Sequence, residues 1–153
     1  MTFLIGLAIV SAVLVGVGPS GEKRDPLEDL QRIQGVWRGV ELEIKGVSLP
    51  PPSARSMWLR FDKDTFTIEQ GGKITVQGRY TLDPANKPKT IDLTITDTVQ
   101  AVNRGALVLG VYELEKGQLR LCTTKANGQD RPKKLVSKHG TTHSLFTFQK
   151  EKK

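Results

Sequence analysis

The sequence predicts an all-β domain: an antiparallel up-and-down barrel of about eight strands preceded by a short N-terminal helix. Three observations carry that expectation. From Val36 onward, apolar and polar residues alternate with the period of strands that have one dry and one wet face. Short connections rich in Gly, Asp and Lys, such as Asp62-Lys63-Asp64, Gln70-Gly71-Gly72 and Glu115-Lys116-Gly117, join sequence neighbours as hairpins. A meander of such strands has two exposed edges, and closing it into a barrel removes both.

The elements follow in order. Asp25-Pro26-Leu27-Glu28-Asp29-Leu30-Gln31-Arg32-Ile33 reads as a helix, with Asp25 as the cap, Pro26 at the first helical position and acidic residues in the first turn. Leu27, Leu30 and Ile33 are expected to form its buried stripe, and Gly35 ends it. Strands are expected at Val36 to Ile44, Met57 to Phe61, Thr65 to Glu69, Lys73 to Leu82, Thr90 to Thr96, Ala106 to Leu114, Gln118 to Thr123 and Ser144 to Gln149. In the fourth of these, Ile74, Val76, Gly78, Tyr80 and Leu82 share one face. Val47 to Ser56, with Pro50-Pro51-Pro52, and Lys125 to Thr142 read as irregular.

Residues 1–20 read as a signal peptide or an uncleaved N-terminal anchor. Thr2 to Gly18 carry no charge and hold ten large apolar side chains, too short a run for a comfortable bilayer span, and Gly18 and Ser20 suit a peptidase that cuts after Ser20. Residues 21–34 are then linker and helix, 35–150 the barrel, and 151–153 a basic tail. Export to the periplasm or beyond is the expectation, with membrane attachment only if the segment stays uncut. The single cysteine, Cys122, excludes an internal disulfide, so the fold must rest on its core.

Of 153 residues, 37% are apolar and 25% charged, with ordinary Gly and Pro usage, which excludes disordered, collagenous and multi-span classes. The net charge of +7 is uneven. Glu22 to Glu115 hold 13 basic and 14 acidic residues, whereas Lys116 to Lys153 hold 10 and 2. Lys125, Arg131, Lys133, Lys134 and Lys138 crowd one loop, a surface for envelope polymers. Specific nucleic-acid binding is not expected, because no aromatic residue lies between Tyr112 and Phe146 to stack a base.

Chemistry-bearing patterns are sparse. His139 and His143 have the spacing of helical metal ligands, but Gly140-Thr141-Thr142 between them is poor helix material, so surface histidines are expected. Cys122 reads as a packing residue, Glu41 and Glu43 as a solvated strand face, and Asp62 with Asp64 as a hairpin tip. There is no phosphate loop, no G-x-S-x-G and no H-E-x-x-H. The chain is therefore read as non-catalytic, with no metal or cofactor. Only an inverted face assignment would bring Arg60, Arg79 or Glu41 inside the barrel.

Gly35-Val36-Trp37 resembles the G-x-W signature of lipocalins, in which the Trp packs across the barrel floor beneath an Arg from the far end of the chain. Trp37 has the opposite parity to Val40, Leu42 and Ile44, so both sets face inward only if the strand bulges near Gly39. Further motifs are Gly78-Arg79-Tyr80-Thr81-Leu82-Asp83-Pro84, Lys87-Pro88-Lys89-Thr90-Ile91-Asp92-Leu93-Thr94, Leu109-Gly110-Val111-Tyr112-Glu113-Leu114 and Asp130-Arg131-Pro132. Together they are similar to an uncharacterised small-domain family expanded in planctomycete bacteria. That resemblance implies a lipocalin-like barrel, frequent export and no established activity. Gly35, Trp37 and Arg131 are then the barrel-floor residues, with Arg131 covering Trp37 or, failing that, lining the mouth as an anchor for an acidic ligand. A hollow barrel would hold a small apolar or amphipathic molecule or an envelope component. A filled one would leave the outer face and the basic stretch for polymers or a protein partner.

Overall fold

A computed structural model describes residues 25–152; the leader expected at residues 1–20 lies outside them. Helix α1 (Pro26–Ile33) leads into β1 (Gly35–Ile44), a two-residue strand β2 (Val47–Ser48) and a short helix α2 (Pro51–Arg55). Seven strands follow: β3 (Met57–Asp62), β4 (Thr65–Gln70), β5 (Lys73–Asp83), β6 (Lys89–Thr98), β7 (Leu107–Glu115), β8 (Gln118–Thr123) and β9 (Ser144–Lys150). Sequence neighbours from β3 to β9 pair antiparallel, β1 pairs β3, and β1 also pairs β9. Eight strands thus close into an up-and-down barrel, and β2 only extends the mouth end of β1.

Asp25 caps α1 by accepting the Leu27 N–H at 3.0 Å. The buried face of the helix is Asp29 and Ile33, however, while Leu27 and Leu30 are 62% and 40% exposed. This corrects the expected apolar stripe. Asp29 and Ile33 are one helical turn apart and are the pair turned toward the barrel, where a carboxylate has partners waiting. Gly35 then turns the chain into β1 at φ +111, a conformation that a side chain would strain although there is room for one.

The bulge in β1 decides which side chains enter the core. Gly39 opposes Phe148 and Glu41 opposes Thr147, so Val40 is the extra residue and parity changes across it. Trp37 and Leu42 are consequently both buried, whereas Val40 and Ile44, expected inside, are exposed. A second bulge at Thr75 (Ile68 opposes Val76, Glu69 opposes Ile74) turns Ile74 outward, correcting its expected place on the dry face. The Val47–Ser56 segment, expected to be irregular, holds α2. It wedges in where β1 and β3 part after the Arg38–Trp58 pair, so close that a Cβ on Gly39 would lie 2.0 Å from the Ala54 carbonyl oxygen.

Replacing Gly39 with Ala should therefore displace α2 and destabilise the fold by about 2 kcal/mol, read as a lower denaturation midpoint. An unchanged midpoint would show that α2 is not packed as described.

Candidate functional site

One end of the barrel is closed. There α1 lies across the start of β1 and the β3–β4, β5–β6 and β7–β8 turns, fastened by three sets of polar contacts. Trp37, 1% exposed, donates its indole N–H to the Ile33 carbonyl at 2.7 Å. The Lys150 ammonium sits 5.3 Å from the centre of the Trp37 ring and donates to the Arg32 carbonyl at 2.8 Å. On another side, the Gln34 amide accepts the Lys63 N–H and donates to the Tyr80 hydroxyl, which in turn donates to the Lys63 carbonyl at 2.6 Å.

The third set is an ion cluster that sequence reading missed. Asp29 is fully buried, and one of its oxygens accepts from the Lys89 ammonium at 2.6 Å and the Tyr112 hydroxyl at 2.8 Å. Burial, then the hydrogen bond to Asp29 and its negative charge, push the Tyr112 pKa well up. Burial also raises that of Tyr80. Asp29 reads in sequence as an ordinary first-turn acid, and the signal that could have found it is its spacing of four from Ile33, the one apolar position the helix buries.

Arg131 is not at this floor, and it is Lys150 that lies over Trp37. Arg131 donates to the Ile91 and Gly110 carbonyls, at 3.2 and 2.9 Å, and pairs with Asp92 at 2.6 Å. Asp92 alternates with the buried Ile91 and Leu93, so the guanidinium lies on the outer wall, pinning the loop between β8 and β9 to the β6–β7 pair. The same loop covers the outer face of β8. Cys122 is buried there, donating to the Val136 carbonyl at 3.6 Å, and burial raises its pKa.

The expected surface placement of the histidines holds for His139 but not for His143. His143 is 9% exposed beneath the loop, with Nε2 2.8 Å from the Asp130 carbonyl oxygen. A carbonyl only accepts, so that nitrogen carries the proton. Among the described residues no three His, Cys, Asp or Glu side chains gather as a metal site. Arg60, Arg79 and Glu41 are exposed on the outer face, and none lines the interior.

The other end is open, and a concavity enters the barrel from it. A cavity of about 460 Å³, within the range of small-molecule sites, runs inward from the mouth. Its inner end rests on the buried core side chains Leu59, Phe61, Phe66 and Phe148, and its apolar sides are the half-buried Met57, Ile68, Val76, Val108 and Phe146. Near the mouth the wall turns polar, with Gln70, Thr75, Thr98, Thr123, Thr124 and Ser144 at or beside strand ends. The β6–β7 connection carries Gln100 and Asn103 over one side, joined by an Asn103-to-Gln100 hydrogen bond of 2.8 Å. The strand alternation in the sequence prescribes such a dry interior; whether side chains fill it depends on how far apart the walls stand.

A closed, eight-stranded antiparallel meander with an apolar interior and a short helix across its floor defines a class, the lipocalin-like fold. A solved structure of a lipocalin-like protein from Bacteroides uniformis is similar to this chain, with a TM-score of 0.50 and 16% sequence identity, covering 78% of this chain and 99% of that one. No family model and no curated protein matches the sequence.

Two outcomes test the closed end. Asp29→Asn should cost about 2–3 kcal/mol of stability by unpairing Lys89 and weakening the Tyr112 bond, measured by urea denaturation. Separately, Tyr80 and Tyr112 hold their protons more tightly when folded. Their contribution is therefore fully present below the unfolded tyrosine pKa of about 10 and is lost as pH rises beyond it. The denaturation midpoint should fall from about pH 10 upward, and less steeply in Tyr112→Phe; equal slopes would contradict the assignment.

Proposed function

We propose that this protein is an exported, non-catalytic binding module that holds a small apolar or amphipathic molecule in its barrel. The observation that carries the reading is the cavity itself: about 460 Å³, apolar in depth, and opening away from the helix-sealed floor. An open concavity of this size bordered by the half-buried Met57, Ile68, Val76, Val108 and Phe146 is a site for apolar matter. Export rests on the uncharged apolar run at Thr2 to Gly18, with a cut after Ser20. Kinship with the planctomycete small-domain family belongs to the same proposal, on the linked motifs from Gly35-Val36-Trp37 to Asp130-Arg131-Pro132.

A second reading, a structural or interaction protein of the cell envelope, is favoured by a different observation. Lys133, Lys134, Lys138 and Arg131 surround a concavity of about 340 Å³ on the outside of the barrel, a shape and charge suited to anionic polymers.

Native mass spectrometry of the mature protein, purified gently from the source organism's envelope fraction, separates the two. The binding reading expects an extra mass released on denaturation and a chain beginning at Gly21. A Val108→Phe variant, which narrows the cavity while keeping the fold, should lose that mass. A bare mass together with salt-sensitive binding to polyanions would favour the second reading.

A further inference from the structure

The protein's charge and its cavity point to different ligands. With a net charge of +7, an anionic ligand is the first thing to expect, yet among the described residues none of the side chains lining the cavity is Asp, Glu, Lys, Arg or His. The cations are placed elsewhere. Lys89 serves Asp29 and Lys150 covers Trp37 at the closed end, while Arg131 is held by Asp92 on the outer wall. At the mouth, Arg104 is paired with Asp97 at 3.1 Å, and the Lys125 stem packs beside Gly128. Among the described residues, the charged side chains at this end thus stand outside the cavity lining.

What faces the cavity near its mouth is a set of neutral hydroxyls and amides. Gln70 ends β4, Thr98 ends β6, Thr123 ends β8 and Ser144 begins β9, so their polar groups share one level of the barrel above the aromatic depth. The Thr124 hydroxyl accepts the Leu109 N–H at 3.2 Å, which leaves its own proton to donate. Such groups satisfy an alcohol, ester or amide, which both gives and takes hydrogen bonds. A carboxylate or ammonium brought to the same level would give up part of its water and meet no opposite charge.

We infer that the cavity selects ligands with an apolar body and an uncharged polar end, and discriminates against acids and amines built on the same body. The inference rests on the binding reading above and names its ligand class.

The test is a matched series on one hydrocarbon chain: dodecanol, glycerol monolaurate, laurate and dodecylamine, each displacing the neutral dye Nile red from the mature protein. At about pH 8 laurate is ionised and dodecylamine protonated. Dodecanol and glycerol monolaurate should bind at least about tenfold more tightly than either charged ligand. The Gln70→Lys variant, exposed at the rim and checked for folding by circular dichroism, should move laurate toward dodecanol. Laurate binding as tightly as dodecanol to the wild-type chain overturns the inference while leaving the cavity reading intact. A laurate-to-dodecanol ratio unmoved by Gln70→Lys also overturns it, since rim charge would then not set the choice. If none of the series displaces the dye, the cavity reading falls and takes the inference with it.

Discussion

The pairing of β1 with β9 closes the barrel, and its single irregularity at Val40 sets what the interior contains. A strand alternates its faces strictly, so an unbroken β1 could bury Trp37 or Leu42 but not both. By spending one residue in the bulge, the chain turns Trp37 to the floor and buries Leu42 beside its strand partner Phe146. Gly39 makes that bulge compatible with α2, because its missing side chain admits the Ala54 carbonyl. Closure, floor and mouth therefore depend on a few consecutive residues of one strand.

The floor shows how a small protein without disulfides holds a short helix in place. An eight-residue helix is marginal alone, and two of its leucines remain in water. What fastens it is directional: the Trp37 indole on Ile33, the Asp29 carboxylate between Lys89 and Tyr112, and the Gln34 amide at Lys63 and Tyr80. These contacts reach strands far apart in sequence, so the helix also ties the two sides of the barrel together. The consequence for function is asymmetry. One end is sealed by charged and aromatic groups, and the other is open.

The long loop between β8 and β9 performs a separate task. Arg131 fixes it to the β6–β7 wall, Ser137 accepts the Gly46 N–H beyond β1, and Cys122 and His143 are buried beneath it. It covers outer strand faces that would otherwise expose apolar surface, and it presents Lys133, Lys134 and Lys138 around a separate concavity on the outside of the barrel. The protein's basic character and its apolar interior thus occupy different surfaces of one barrel.

By itself the sequence determined the strand order, the short hairpins, the helix with its Asp25 cap, and the conflict of parity that required a bulge near Gly39. These are local properties, set by alternation, turn chemistry and capping between near neighbours. Only the tertiary structure decided that Lys150 and not Arg131 covers Trp37, that Asp29 and not Leu27 faces the core, that Ile74 turns outward, and that the barrel keeps a cavity at its mouth. Each of those depends on which distant residues meet: a cation approaches a ring, or a carboxylate enters the interior, when partners from other strands make the burial favourable. The volume between facing walls is likewise a property of strand separation, which no run of residues along one strand records.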